Sequence, residues 1–489
     1  MLEKIKKATG YIDRFIQSDY YIIFVAVLVF IGWFFKIWAP MLSVLLVISV
    51  LPLFFFRGTK HLLPLLVFFT TIISDYRHGL EKYKFLLIPL VLLLVAGCVF
   101  NLIRFKRDWS CLAPKNIKGF HFALLLLMIP FGLGGLGSPY ENGLAVFIVF
   151  LLVALIGAFY TFFVVTNSGA DRKRLGEYMI KILAMLGVIC ACEIIAFYLR
   201  NAESFEDFLA RWLDKGLFNL GWAGANNVSP TLTLTIPATF YLCLKKNKYT
   251  PFVVLLIALE YALLVCMNCR GAVLFAVLTL PFMVFYVALK TENKMAFCVP
   301  ICFLFVALVL VCGLYGKQIL KILSPMLDKG FDSSSRIEYL YPEALSVFRR
   351  WPFFGAGWDY RLGDIVNGGH NSYTPYWYHS TFFQILANMG VVGIIYFAIF
   401  YYWRYRTAII NIKDPKTLCM ITGILMFDAY GMIDVNFFGP TFFIMLTCVS
   451  FAIETELEPY QGRAFGSKLF KNLFAWIEKR KIAVEPADN

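Results

Sequence analysis

The chain has 489 residues, 60% hydrophobic and 16% charged, with a mean hydropathy of +0.72. No single soluble core with a polar shell accommodates that mixture. The net charge of +14 is spread through short segments between apolar runs instead of forming one patch, which excludes a nucleic-acid footprint and reads as membrane topology.

Apolar runs long enough to cross about 30 Å of hydrocarbon recur from end to end, without the alternation of a barrel. The expected class is an all-α polytopic integral membrane protein with 12–14 transmembrane helices and two external cap loops. Residues 1–199 form an N-terminal bundle with spans near 20–39, 40–56, 61–75, 85–103, 118–136, 143–166 and 176–199. Lys4, Lys6, Lys7 and Arg14 precede the first span with no small-residue cleavage site, so that span reads as a retained anchor. Residues 200–228 make the smaller cap, and 229–316 hold central spans near 229–244, 250–268, 270–289 and 295–316. A large external loop, 317–380, leads to spans near 381–403, 416–433 and 437–454 within residues 381–454. The tail, 455–489, spaces Phe470, Leu473, Phe474 and Ile477 on one helical face with lysines opposite, which suits an anionic cytoplasmic leaflet.

Basic residues fall mainly in alternate loops, among them Arg57 and Lys60; Arg172, Lys173 and Arg174; and Arg404, Arg406, Lys413 and Lys416. Both termini are therefore expected in the cytoplasm. One loop disagrees, because Arg77, Lys82 and Lys84 fall on the side that should be external. Of the twelve cysteines, Cys98, Cys190, Cys192, Cys243, Cys266, Cys302 and Cys312 lie inside apolar runs and read as small buried hydrophobes. No zinc spacing, Walker loop or Asp-x-Asp clamp occurs in the caps, so neither metal nor cofactor is expected.

The candidate chemistry gathers on the external side. Arg270 in "CMNCRGAVLF" stands between two apolar runs, where an arginine is either a snorkelling helix-start residue or a functional group in a wet cavity. Ser335 and Glu338 have capping-box spacing around Arg336, and the helix they open ends at "WPFFGAG". Arg336 is then a solvated first-turn residue or a fork for phosphate. His370 and His379, nine residues apart with Tyr373, Tyr376, Trp377 and Tyr378 between them, suit an aromatic belt or a proton acceptor, since an ordinary imidazole titrates near pH 6.5. Asp434 falls where it would orient a base, and Asn226, Asn227 and Pro230 open a span as cap or sugar contact. Glu193, Glu260 and Asp428 lie within spans as proton relays or structural partners.

In order, "CRGAVLF", "RIEYLYPEALSVFRRWPFFGAGW" and "HSTFFQILANMGVVG" resemble the bacterial O-antigen ligase and polymerase family over about residues 220–450. The family's third motif commonly reads His-Asn, whereas His379 precedes Ser380 and the His-Asn pair stands at His370 and Asn371, leaving two registers for the base. The resemblance implies a GT-C-like glycosyltransferase architecture in the bacterial inner membrane with its active site on the external face. It implies metal-independent, inverting transfer of a glycan from a polyprenyl (undecaprenyl) diphosphate carrier to a lipid or glycan acceptor. Arg270 and Arg336 would then neutralise the diphosphate and His379 act as base, with His370, Asn371, Asn227 and Asp434 at the substrate. The rival from another class is a transporter or flippase of lipid-linked sugars or small solutes, which would place charge at the bilayer midplane and show repeat symmetry.

Overall fold

The computed structural model describes residues 10–74, 76–138, 143–213, 215–328, 336–358, 377–459 and 461–464. His370, Asn371, Ser335 and the amphipathic tail lie outside these residues. The described regular elements are helical, as expected of the class.

The N-terminal bundle contains α1 (Asp19–Phe34), α2 (Trp38–Phe55), α3 (Leu62–Phe68), α4 (Tyr76–Arg104), α5 (Gly119–Leu126), α6 (Met128–Leu133), α7 (Gly143–Thr166) and α8 (Gly176–Asn201). The smaller cap holds α9 (Phe205–Leu213), and the centre α10 (Ala225–Tyr241), α11 (Thr250–Cys266), α12 (Arg270–Lys290) and α13 (Lys294–Asp328). One wide helical turn, Arg336–Leu340, runs into α14 (Tyr341–Arg350). The last helices are α15 (Thr381–Ile410), α16 (Pro415–Gly431) and α17 (Pro440–Glu456).

Six helices among the described residues are long and apolar enough to cross a bilayer unaided, or seven if the bent pair Gly10–Ile16 and Asp19–Phe34 acts as one span. That is fewer than the 12–14 spans read from hydropathy, because several apolar runs form shorter helices. The run 61–75 is the extreme case, with only the seven residues of α3 in regular helix. The discordant Arg77, Lys82 and Lys84 fall in the first turns of α4, ahead of its apolar stretch Val91–Arg104.

Arg404 also corrects its loop assignment. It lies inside α15 with its side chain 1% exposed, ion-paired with Asp428 of α16, whose carboxylate also accepts from the Tyr405 hydroxyl at 2.7 Å. Asp428 is thus a structural partner, as an intramembrane charge requires. Of the cysteines read as buried, Cys192, Cys302 and Cys312 are exposed on helix surfaces, where lipid replaces protein as the apolar surroundings.

α10 is the hub, packed by α16, α8, α11 and α12. Its Thr231, Thr233 and Thr235 hydroxyls donate to the carbonyls of Asn227, Pro230 and Leu232 at 2.9, 2.9 and 3.1 Å, so a polar sequence becomes a helix that can be buried. α16 approaches closely at Gly423, where a Cβ would lie 2.5 Å from the Leu234 carbonyl oxygen.

The other device that positions the site is a break in α15. Gly390 has φ 59 and ψ −152, which interrupts the helix. The segment Trp351–Gly357 fills the gap: Ala356 and Gly357 N–H donate to Ala387 and Asn388 carbonyls at 2.8 and 3.2 Å, while Val391 and Val392 N–H donate to Pro352 and Phe353 carbonyls at 2.8 and 3.1 Å. These four bonds satisfy backbone groups that the break frees, as irregular backbone at membrane depth requires. Gly355, φ 69, is required because a Cβ would sit 2.3 Å from the Asn388 carbonyl carbon. Pro-Phe-Phe-Gly-Ala-Gly is therefore a plug that locks the cap helix α14 against α15.

Candidate active site

Four chain segments meet at the N-terminal end of α15. Tyr378 N–H donates to Gln384 Oε1 at 2.9 Å, and Thr381 N–H donates to the Asp434 carbonyl at 3.1 Å. Between these anchors His379 is held at φ 49. The left-handed region costs a non-glycine residue about 1 kcal/mol, a strain that the two flanking bonds sustain.

That conformation brings His379 Nδ1 to 3.3 Å from Asp434 Oδ1, with the imidazole 37% and the carboxylate 6% exposed. Val435 N–H donates to Oδ1 at 2.8 Å and the Tyr430 hydroxyl to Oδ2 at 3.0 Å. Burial by itself would raise the Asp434 carboxyl. The hydrogen bond with His379, the Val435 N–H, the charge of His379 and the Tyr430 hydroxyl outweigh it and hold the group below its usual value. An ionised Asp434 favours the proton on Nδ1 and leaves Nε2 as the acceptor of a neutral ring.

The network continues to the start of α12. Tyr430 Oη is 3.1 Å from Cys269 Sγ, and Cys269 immediately precedes Arg270. Gly271 lies so close to the segment after α16 that a Cβ would meet Ile433 Cδ1 at 2.2 Å. Arg270, half-buried, is thereby tied to the same cluster as His379 through backbone neighbours. Asn436 Nδ2 donates to the Asn226 carbonyl at 3.0 Å, which brings in the first turn of α10. Asn227 stands on that turn, its carbonyl accepting from Thr231, while the bond to Asn436 is made by the Asn226 carbonyl.

Arg336 opens the cap segment that touches the cluster. It opens the wide turn before Tyr341, whose ring stacks on Phe383 with centroids 4.2 Å apart and whose hydroxyl donates to the His379 carbonyl at 3.5 Å. Arg336 Nε is buried and has no hydrogen-bond partner among the described residues, a donor available to an anion. The structure thus brings His379, Asp434 and the Arg270 segment together, while from the cap the residue that touches the cluster is Tyr341.

Tyr430, Cys269, Gln384 and Tyr341 were not singled out from the sequence. Tyr430 and Asp434 stand four residues apart, the one signal that could have linked them. Glu193 and Glu260 lie elsewhere and fully buried: Trp222 Nε1 donates to Glu193 at 2.8 Å, and Thr239 donates to Glu260 at 3.2 Å. Among the described residues no three His, Cys, Asp or Glu side chains gather at metal-ligand spacing.

No curated protein sequence gave a match to this chain. Residues 252–398 match the family model described as O-antigen ligase, a narrower stretch than the motif resemblance, containing Arg270, Arg336 and His379 but not Asp434. The chain is a multi-pass membrane protein whose residues 252–398 are similar to the O-antigen ligase family.

Proposed function

We propose that this site transfers a glycan from a polyprenyl diphosphate to an acceptor hydroxyl on the external leaflet of the bacterial inner membrane, with both termini in the cytoplasm. The single observation that carries the reading is the His379–Asp434 pair at 3.3 Å, linked through Tyr430 and Cys269 to the start of the Arg270 helix. His379 Nε2 takes the acceptor's proton as its oxygen attacks the anomeric carbon from the side opposite the diphosphate. The new C–O bond forms as the sugar–phosphate bond breaks, so the configuration inverts and the electron pair leaves on the diphosphate. Arg270 and Arg336 neutralise that charge, the term that usually dominates such catalysis. Asp434 holds the ring's tautomer and stabilises the imidazolium that forms. No residue in this scheme requires a metal ion, and the diphosphate carrier is a substrate.

Reconstitution with lipid-linked oligosaccharide and a candidate acceptor tests it. His379→Ala should slow transfer by about 10²–10⁴-fold, and Arg270→Ala or Arg336→Ala by about 10²–10³-fold, each in a variant that retains wild-type thermal stability. Full transfer by folded His379→Ala would remove it as the base, and a requirement for added divalent metal would reject the mechanism.

A further inference from the structure

The opposite end of the molecule holds a second polar site. A cavity of about 200 Å³ is lined by Asp13, Gln17, Arg57, Lys60, Asp171 and Lys173, over an apolar wall of buried Phe163 and Phe451. It sits at the link between α2 and α3 and the link between α7 and α8. Leu175, one of its lining residues, precedes α8, whose 26 residues run to Asn201. At 1.5 Å per residue that places the cavity about 39 Å from the other end of α8, at the level of the opposite membrane surface.

Its charges are unequally satisfied. Asp171 is already held by Arg57 at 2.5 Å and by Arg107 at 3.0 Å. Lys60 has the Tyr178 ring 4.5 Å below its ammonium, and among the described residues neither Lys60 nor Lys173 has a carboxylate at ion-pair distance. Neighbouring cations differ: Lys181 is paired with Asp19 and Glu177, and Arg174 with Glu458. Burial, then repulsion from Lys173, lowers the Lys60 ammonium's pKa, with Asp19 offsetting part and Lys181 adding to it. Gln17 presses on Gly58, and its Nε2 and Oε1 are both buried without a hydrogen-bond partner among the described residues. Leaving a buried amide unmatched costs about 1–3 kcal/mol per group, so the site lacks an acceptor for Nε2, and its lining cations Arg57, Lys60 and Lys173 outnumber the carboxylates Asp13 and Asp171.

We propose that this cavity binds a phosphate-bearing anion, with Lys60 and Lys173 as its counter-charges and Gln17 Nε2 as a donor to a phosphate oxygen. A tetrahedral oxyanion offers several acceptors around one charge, which matches two ammonium groups and an amide better than a planar carboxylate does. The phosphate comes either from a phospholipid headgroup at that surface or from solution. The inference stands apart from the transferase reading, since none of its residues belongs to the His379 cluster.

The test uses the full chain in nanodiscs of phosphatidylcholine alone or with added phosphatidylglycerol, with the unfolding temperature as readout and inorganic phosphate titrated into each. Phosphatidylglycerol, phosphate, or both should raise the unfolding temperature. Lys60→Gln and Lys173→Gln should each weaken that response by about tenfold in midpoint concentration, one charge-assisted hydrogen bond's worth. Lys246→Gln, on the same face but not lining the cavity, should leave it unchanged. A response to phosphatidylglycerol alone identifies the headgroup as the source, and a response to phosphate in phosphatidylcholine discs identifies the soluble anion. Equal stability in all four conditions, or an undiminished response in folded Lys60→Gln and Lys173→Gln, overturns the proposal.

Discussion

α10 and α13 invert the rule familiar from soluble proteins. α13 carries the most apolar of the spans, yet only 6% of that span is buried in protein, and Phe303 and Leu314 are 77% and 73% exposed. α10 contains four threonines and two internal prolines, yet Thr233, Thr235 and Thr239 are 0% exposed at the centre of the fold. Lipid is as apolar as leucine, so an all-apolar helix gains little from leaving it. A helix with hydroxyls and interrupted backbone must instead find partners in protein. Protein burial in this molecule therefore follows polarity, and the candidate site hangs from α16, the helix packed on the polar hub.

The contrast can be broken by exchanging the two characters. Phe303→Arg puts a charge on the lipid face of α13 and should cost about 3 kcal/mol of insertion free energy, read as the inserted fraction in a glycosylation-tagged assay. Equal insertion of wild type and variant would show that α13 does not face lipid. Gly423→Val fills the approach of α16 to α10 and should destabilise the folded state by about 1–3 kcal/mol, measured by unfolding in mixed micelles. An unchanged midpoint would mean that the hub is loosely packed.

Asp434→Asn loosens the site where it hangs from α16 and should cost about 1 kcal/mol near neutral pH. The sign of its pH dependence follows from the lowered carboxyl. The stabilisation is complete above the unfolded-state value of about 3.9 and fades as pH falls through the lower folded-state value. The stability gap between wild type and variant should thus persist from about pH 8 to 5 and close only in stronger acid. A gap that closed already between pH 7 and 5 would contradict the lowered carboxyl. Thr233→Val removes one helix-internal bond from α10 and should cost about 0.6 kcal/mol, while Phe303→Leu on α13 should stay below about 0.5 kcal/mol. Reversal of that last order would refute the comparison.

Much of the plan was legible because hydrocarbon thickness imposes a minimum length on apolar runs. The runs around α2, α7, α8, α12, α13 and α15 became helices long enough to span, while 61–75 did not, because hydropathy averages over a window and does not see where the backbone turns. Arg404 looked like a loop charge for the same reason: its partner Asp428 is 24 residues away, on another helix. At the site, Arg270, Arg336, His379 and Asp434 stood out as costly residues beside apolar runs. Tyr430 and Cys269 did not, since a tyrosine and a cysteine in an apolar stretch are ordinary.

By itself, the sequence determined the solvent of this protein, the approximate positions of its helices and the residue types able to handle a diphosphate and a proton, because composition and periodicity are local properties. Only the tertiary structure decided that the Trp351–Gly357 plug satisfies the break at Gly390, that His379 meets Asp434, and that Lys60 and Lys173 share a cavity. Those facts depend on distances between segments remote in the chain, where each hydrogen bond or charge has its energy only once the other partner arrives.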